Sequence, residues 1–218
     1  MPPTESQAHT FAVKRTARYY TLEPAEDVRE VWFVLHGYWQ LASYFLRHFR
    51  AIDNGHRLFV APEALSRFYL QEYQRVGASW MTREAREAEI EDYLRYLDAL
   101  YNRVLATHDR DAVTVHLLGF SQGGATASRW ATLGQIQPDR LILWAGDLAH
   151  DIDLAACGER LGRMDLTFIV GSEDEFITPD KMAAQEAHLS NYDIPYRFVP
   201  FEGEHRLDAD VLKALADG

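Results

Sequence analysis

The chain has 218 residues, of which 47% are hydrophobic, and this length and composition suit one hydrophobic core, so we expect a single domain over residues 1–218. Its 33 acidic residues outnumber its 22 lysines and arginines, which gives a formal net charge of −11. Nucleic acids and anionic membranes attract proteins through clustered basic residues, so this charge argues against either as the main partner.

Cysteine content and apolar runs indicate the cellular environment. Cys157 is the only cysteine, so no internal disulfide can form. The first ten residues are polar, and no apolar run reaches the roughly 18 residues that cross a bilayer. We therefore expect a cytoplasmic protein without stable membrane insertion.

Short apolar runs alternate along the chain with longer amphipathic segments. An N-terminal segment, 11–20, precedes six candidate strands. Several of these candidates are continuous apolar runs, which is typical of strands that are covered on both faces. The candidate strands lie at 30–37, 56–62, 113–119, 140–146, 166–171 and 196–203.

Two segments between these strands have helix signals. Segment 83–108 repeats apolar residues on one helical face, and Glu91 lies four residues before Arg95. The other begins at Thr178, which can cap a helix whose first turn holds Pro179. Strands that alternate with helices predict an α/β fold with a mostly parallel central sheet and helices on both faces. In such a sheet the active site lies at the carboxyl ends of the strands.

The third candidate strand runs into the pattern Gly-x-Ser-x-Gly, over 119–123. A serine on a sharp strand-to-helix turn has a strained backbone, and the flanking positions crowd neighbouring backbone unless they are glycine. The turn also places the serine at a helix N-terminus, where free N–H groups stabilise a negatively charged oxygen. We predict that Ser121 is a nucleophile, and a tight glycine-rich turn with an incidental serine is the alternative.

A serine nucleophile needs a base and a carboxylate that orients the base, and in this architecture the chain order is Ser, then Asp or Glu, then His. His205 follows the last candidate strand, and we predict it as the base. The loop after the fifth candidate strand supplies Asp174 as the predicted acid. Asp147, after the preceding strand, and the neighbours Glu173 and Glu175 stay open as alternatives.

An oxyanion hole completes such a site, because each backbone N–H group aimed at the reacting carbonyl oxygen stabilises the transition state by about 3–4 kcal/mol. Gln122, the residue after the nucleophile, is one predicted donor. The strand at 30–37 ends in His36 and Gly37, which let the backbone turn inward, and the N–H of Tyr38 is the second predicted donor. His36 itself is expected to hold this loop rather than to take part in catalysis.

These motifs together resemble the phospholipase/carboxylesterase family of α/β-hydrolases, which includes acyl-protein thioesterases and small bacterial carboxylesterases. The resemblance extends from Val31 to Leu212 and rests most on the segment 119–125, Gly-Phe-Ser-Gln-Gly-Gly-Ala, with support from Ser79 and Trp80. It implies a serine hydrolase without cofactor that acts on carboxylic esters, thioesters or lysophospholipids. The catalytic triad that it implies is Ser121, Asp174 and His205.

The chain departs from the family's pattern in two places. The family usually follows His-Gly with a small loop that contains glycine and aspartate, whereas this chain has the bulky run Tyr-Trp-Gln-Leu at 38–41. The predicted base is preceded by Gly203 and Glu204 instead of directly by a glycine. The first departure bears on the size of the substrate and not on the chemistry.

Aromatic residues near the predicted catalytic loops can form the walls of an apolar pocket or pack in the core. Trp39, Trp80 and Phe120 are the predicted substrate-binding residues. No long insertion separates the candidate strands, so we expect an open site without a large lid. The sequence shows no metal-ligand spacing and no phosphate-binding loop, and we expect neither a metal nor a cofactor.

The expected function is that of a serine hydrolase that cleaves carboxylic esters in the manner of carboxylesterases and lysophospholipases, with a small-molecule ester as its substrate. A thioesterase or a peptidase with the same triad is an alternative, because an acyl-enzyme mechanism tolerates different leaving groups. A binding protein that keeps the fold without catalysis is another alternative. The oligomeric state stays open.

Overall fold

The computed structural model of the protein describes residues 6–217, which form nine β-strands, six α-helices and a 3-10 helix at Leu46–Ile52. The strands are β1 Tyr19–Leu22, β2 Glu30–Leu35, β3 Arg57–Pro62, β4 Ser66–Leu70, β5 Arg75–Ser79, β6 Thr114–Phe120, β7 Arg140–Trp144, β8 Asp165–Gly171 and β9 Arg197–Phe201. The helices are α1 Ala42–Phe45, α2 Arg86–Leu105, α3 Gln122–Leu133, α4 Leu154–Gly162, α5 Pro179–Ser190 and α6 Ala209–Asp217.

Seven of these strands form one sheet in the order β1-β3-β2-β6-β7-β8-β9. β1 pairs with β3 antiparallel, and the other neighbours in this sheet are parallel. Only the last two residues of the N-terminal segment 11–20 belong to β1. The predicted α/β fold with a mostly parallel central sheet is confirmed, because each of the six candidate strands contributes a strand to this sheet.

Side chains of the central strands point alternately to two hydrophobic clusters, one on each face of the sheet. In β2, Val31, Phe33 and Leu35 belong to the cluster that α2, α3, α4 and α5 cover. Trp32 and Val34 belong to the cluster that α1, the 3-10 helix and α6 cover. All five side chains are fully buried, which explains why this strand is a continuous apolar run in the sequence.

The two helices that the sequence predicts are present, with shorter bounds for the first. Segment 83–108 forms α2, which begins at Arg86 and ends at Leu105. Thr178 caps α5, since its side chain accepts a hydrogen bond from the N–H of Lys181. Across the described part of the chain, none of the helices combines the length and the apolar character that a membrane crossing requires.

An antiparallel hairpin of β4 and β5 stands apart from the main sheet, and the apolar pattern of the sequence does not predict it. Its turn, 71–74, contains Gln71, Glu72 and Tyr73 at positive φ angles of 45°, 50° and 70°. β4 alternates half-buried and exposed residues. Because only one side of this strand is covered, it lacks the continuous apolar run by which the strands of the main sheet can be recognised.

A buried arginine on α3 links three elements on one face of the sheet. Arg129 is 1% exposed and donates hydrogen bonds of 2.9 and 2.7 Å to Asp151, in the loop after β7. It also donates to the hydroxyl of Tyr93 on α2, at 3.3 Å, and Arg86 lies 2.9 Å from the same carboxylate. Burial by itself would raise the pKa of Asp151, but its hydrogen bonds with Arg129 and Arg86 lower this pKa to about 2.

We expect Asp151→Ala to lower the free energy of unfolding by about 3 kcal/mol, because it leaves the buried guanidinium of Arg129 without a counter-charge. The folded-state pKa lies below that of an unfolded aspartate, so the wild-type stabilisation is present above about pH 4 and is lost as the pH falls towards 2. Urea unfolding across this range measures both effects. Asp92→Ala, which breaks an exposed ion pair with Arg95, is the control and should cost less than about 1 kcal/mol. Equal losses in the two variants would contradict the role given to Arg129.

Candidate active site

Ser121 lies at the turn where β6 ends and α3 begins. Its φ and ψ angles are 54° and −121°, which is a strained conformation for a residue other than glycine. The backbone holds the turn on both sides: the N–H of Ser121 donates to the carbonyl of Trp144 at 2.9 Å, and the carbonyl of Ser121 accepts from the N–H of Gly124 at 2.8 Å. This turn presents the serine side chain at the carboxyl edge of the sheet.

The glycines two residues before and after Ser121 allow the turn to pack against neighbouring backbone. A Cβ atom on Gly119 would overlap the carbonyl group of Gly123. A Cβ atom on Gly123 would overlap the carbonyl of Leu35 and lie 2.7 Å from the carbonyl oxygen of His36. The spacing Gly-x-Ser-x-Gly is therefore a packing requirement of this turn.

Three side chains from different loops form a chain of hydrogen bonds at this edge. The Nε2 atom of His205 lies 2.9 Å from the hydroxyl oxygen of Ser121, and the Nδ1 atom lies 2.8 Å from Oδ2 of Asp174. The other carboxylate oxygen of Asp174 accepts the N–H groups of Phe176 and Ile177 at 2.8 and 2.9 Å. Because a carboxylate only accepts, Nδ1 carries the proton and Nε2 is left to accept the serine hydroxyl. The structure thus brings together the three residues of the predicted triad in the order that the chemistry requires.

The alternative acids make no hydrogen bond with His205 in the described part of the chain. Asp147 is half-buried, and its Oδ1 atom has no hydrogen-bond partner there. Burial raises the pKa of this carboxyl group above its ordinary value. Glu173 and Glu175 are exposed. Asp174 is therefore the carboxylate in position to orient the imidazole. No group of three or more His, Cys, Asp or Glu side chains among the described residues is placed to hold a metal ion.

The turn after β2 lies beside the nucleophile, since a Cβ atom on Gly37 would be 3.2 Å from the Cβ atom of Ser121. In this turn the N–H of Gly37 donates to the side chain of Gln40 at 2.8 Å, and the N–H of Trp39 donates to a carbonyl of β5 at 3.1 Å. The N–H of Tyr38, between them, has no acceptor among the described residues. It is therefore available to a substrate oxygen next to the nucleophile.

The N–H of Gln122 is available in the same way. It is the first N–H group of α3, and such groups have no acceptor within their own helix. No other atom in the described part of the chain accepts a hydrogen bond from it. Tyr38 and Gln122 thus each present one free backbone donor near Ser121, and their role as an oxyanion hole stays a prediction.

His36 holds the turn after β2. It is fully buried, its Nδ1–H donates to the carbonyl of Gly37 at 2.8 Å, and its Nε2 atom accepts the N–H of Ala64 at 3.1 Å. Burial lowers the pKa of this imidazole to about 4, so the ring is neutral at pH 7. Both ring nitrogens are occupied by backbone groups, which leaves no nitrogen for proton transfer to a substrate.

Trp80 joins the two sides of the site and is not among the residues that line the cleft with Ser121 and His205. It is 2% exposed, its indole N–H donates to the carbonyl of His36 at 2.8 Å, and its backbone N–H donates to Oε1 of Gln122 at 3.1 Å. The amide of Gln122 in turn donates to the carbonyl of Met81 at 2.9 Å. The structure therefore places Trp80 in the core instead of at the pocket wall expected from the sequence, because its buried indole N–H needs an acceptor and the turn after β2 provides one.

An open cleft of about 1120 Å³ lies beside Ser121 and His205. Trp39, which is 59% exposed, and Phe120, which is 5% exposed, both line this cleft. The ring of Phe120 also packs against the imidazole of His205, at 5.1 Å between ring centres. The β4–β5 hairpin contributes another part of the wall. The cleft is open to solvent, and no large lid covers it in the described part of the chain.

No protein-family model matches the chain, and no curated protein matches it. Solved structures do match. Acyl-protein thioesterase 2 of Zea mays has a TM-score of 0.71 over 93% of this chain and 97% of its own, at 14% identity. The carboxylesterase of Bacillus cereus has a TM-score of 0.71 over 92% of each chain, at 12% identity. Esterase PE8 has a TM-score of 0.67 over 93% of this chain and 97% of its own, at 18% identity.

The chain has the α/β-hydrolase fold. The solved structures that share it include esterases and thioesterases, which agrees with the resemblance that the sequence motifs indicate. Because the identities lie between 12 and 18%, this likeness concerns the fold. The chemistry of this protein depends on its own side chains.

We expect Gly123→Ala to lower the free energy of unfolding by about 3 kcal/mol, because its Cβ atom would overlap backbone carbonyl groups at the end of β2. Gly124→Ala is the matched control on the next residue of α3. Its Cβ atom would lie 3.5 Å from the Cα atom of Gly146, an ordinary contact, and alanine favours a helix. We expect a change within about 1 kcal/mol for the control. Urea denaturation measures the free energy of unfolding of both variants. Similar values for Gly123→Ala and Gly124→Ala would contradict the close packing of the turn.

Proposed function

We propose that the protein is a serine hydrolase that cleaves carboxylic esters through an acyl-enzyme intermediate. The observation that carries this proposal is the chain of hydrogen bonds from Ser121 through His205 to Asp174, at 2.9 and 2.8 Å. The strained backbone of Ser121 supports it, because strain of this kind persists where the surrounding structure and a function maintain it. A binding protein without catalysis has no need for either feature.

In the first half-reaction the oxygen of Ser121 attacks the ester carbonyl carbon while Nε2 of His205 takes the hydroxyl proton. Asp174 stays ionised, orients the imidazole and stabilises the imidazolium. The N–H groups of Tyr38 and Gln122 donate to the carbonyl oxygen as it becomes negatively charged. The imidazolium then gives its proton to the leaving alkoxide, the bond between carbonyl carbon and alkoxide oxygen breaks, and the acyl group stays on the serine.

In the second half-reaction water takes the place of the alcohol. His205 removes a proton from the water as its oxygen attacks the acyl carbon, and the same two N–H groups hold the oxyanion. The proton passes to the oxygen of Ser121 when the acyl bond breaks. One ester and one water thus become one acid and one alcohol, and every proton transfer uses the same imidazole.

Thioester hydrolysis is the second candidate function. The Zea mays neighbour is named as an acyl-protein thioesterase. Both reactions share one acyl-enzyme, so the leaving group and the cleft decide between them. Ester, thioester and amide substrates with the same acyl group separate the candidates. We expect the ester to react with a higher kcat/KM than the amide, and a higher value for the thioester than for the ester would favour the second candidate.

We expect a fluorophosphonate probe to add one adduct to the wild type and none to Ser121→Ala, as read by intact-mass analysis. Ser121→Ala should fold normally and lose about 10⁴-fold or more in kcat, because the nucleophile is removed. Ser172→Ala changes an exposed serine in the loop after β8 and should be labelled like the wild type. An adduct on Ser121→Ala, or unchanged turnover, would rule out this assignment.

We expect Trp80→Phe to lower kcat by about tenfold with little change in KM, since it removes the N–H that holds the carbonyl of His36 and so loosens the turn that carries the Tyr38 donor. Trp130→Phe is the matched control, because its indole N–H binds Asp98 on α2, away from the nucleophile. Both variants are compared with the wild type by steady-state kinetics on one ester, and their stability is measured by thermal unfolding. An equal fall of kcat in the two would show that Trp80 contributes stability and not positioning.

A further inference from the structure

The cleft beside Ser121 differs in charge from the rest of the protein. The chain carries 33 acidic and 22 basic residues, yet no aspartate or glutamate of the described chain lines this cleft. Arg75 and His48 do line it. Partial burial lowers the pKa of His48 below its ordinary value, so this imidazole is neutral at pH 7. Arg75 is therefore the positive charge that the cleft presents to a substrate.

Arg75 opens β5 and lies across the hairpin from Leu70. Among the described residues its guanidinium makes no hydrogen bond and no ion pair, and Glu72 in the adjoining turn does not pair with it. Arg67, on the neighbouring strand, is by contrast paired with Glu63 at 3.3 Å. An arginine without a protein partner keeps all its N–H donors for a ligand.

The groups around Arg75 suit an oxygen-rich anion better than a bare hydrocarbon chain. Gln71 and Gln74, at the two ends of the hairpin turn, line the cleft and carry amide donors. Tyr44 lines it too, and the guanidinium of Arg47 stacks over that ring at 4.6 Å. This contact places a second positive charge next to Tyr44, on a residue that does not itself line the cleft.

The loops that carry Asp174 and His205 have the opposite charge. They hold four exposed glutamates that form no ion pair with any described residue and do not line the cleft. An anionic group would be repelled from these loops and attracted to the hairpin side, so the site offers it one orientation. The four residues are Glu173, Glu175, Glu202 and Glu204.

We propose that the substrate is an ester that carries a free carboxylate, and that this carboxylate lies between Ser121 and the β4–β5 hairpin with Arg75 as the residue that determines specificity. The proposal rests on the ester hydrolysis proposed above. A guanidinium matches a carboxylate through two parallel hydrogen bonds. Of the described arginines and lysines, Arg75 lines the cleft and balances one negative charge, whereas Arg47 does not line it and so leaves the second charge of a phosphate dianion without a direct partner.

Two pairs of esters of similar length test this proposal. The first pair compares monoethyl glutarate, which carries a carboxylate on its acyl side, with the neutral ester ethyl pentanoate. The second pair compares O-butanoylglycolate, which carries a carboxylate on its alcohol side, with the neutral ester propyl butanoate. Hydrolysis is followed by proton NMR for the wild type, Arg75→Gln, Arg75→Lys and Arg83→Gln. The last variant is the control, because it removes one exposed positive charge that does not line the cleft.

We expect the wild type to have a kcat/KM about tenfold higher for the anionic ester than for the neutral ester in one of the two pairs. Arg75→Gln should abolish this preference, mainly through KM, and leave the neutral ester within about twofold of the wild type. Arg75→Lys should keep part of it, because lysine retains the charge without the two-point geometry. Arg83→Gln should behave like the wild type.

Four results would overturn the proposal, and they lead to three distinguishable conclusions. In the first two, the wild type and Arg75→Gln show the same ester preference, or the wild type prefers the neutral ester in both pairs. Either result would show that Arg75 does not determine specificity, and it would leave the proposed serine hydrolase activity unaffected. A fluorophosphonate adduct without turnover of any of the four esters removes the proposed substrate class and leaves the nucleophile. No adduct and no turnover removes the proposed function and this inference with it.

Discussion

The close contact between the turn at Ser121 and the end of β2 is the constraint on which the rest of the site depends. Gly123 packs so tightly against the carbonyl groups of Leu35 and His36 that no side chain fits between them. This contact joins the first residues of α3 to the turn after β2, so the two free N–H groups belong to segments that meet beside the serine. The strain at Ser121 is maintained because the parallel sheet holds both strand ends in place.

Buried neutral groups hold the rest of this arrangement. His36 is uncharged, and its two ring nitrogens are satisfied by backbone groups of two different segments. Trp80 then connects the carbonyl of His36 to the side chain of Gln122. Each of these buried polar groups has a partner, so the network orients the backbone donors without the cost of an unpaired polar group or a buried charge.

Charge is distributed unevenly around the nucleophile. The hairpin side has an unpaired arginine and no carboxylate in the described part of the cleft wall, and the loops of Asp174 and His205 have exposed glutamates. In a protein with a net charge of −11, a wall free of acidic residues is a local feature of the cleft. Such a gradient acts over several ångströms and can orient a charged substrate before it reaches the serine.

The sequence by itself determined the parallel sheet and the strand-to-helix turn at Ser121, because both depend on local apolar runs and on glycine spacing. It placed Asp174 and His205 after the expected strands but left Asp147, Glu173 and Glu175 open as alternative acids. Only the tertiary structure decided which carboxylate reaches the imidazole, that Trp80 is buried, and that a hairpin forms part of the cleft. These outcomes depend on contacts between segments far apart in the chain, and a half-covered hairpin has no continuous apolar run to reveal it.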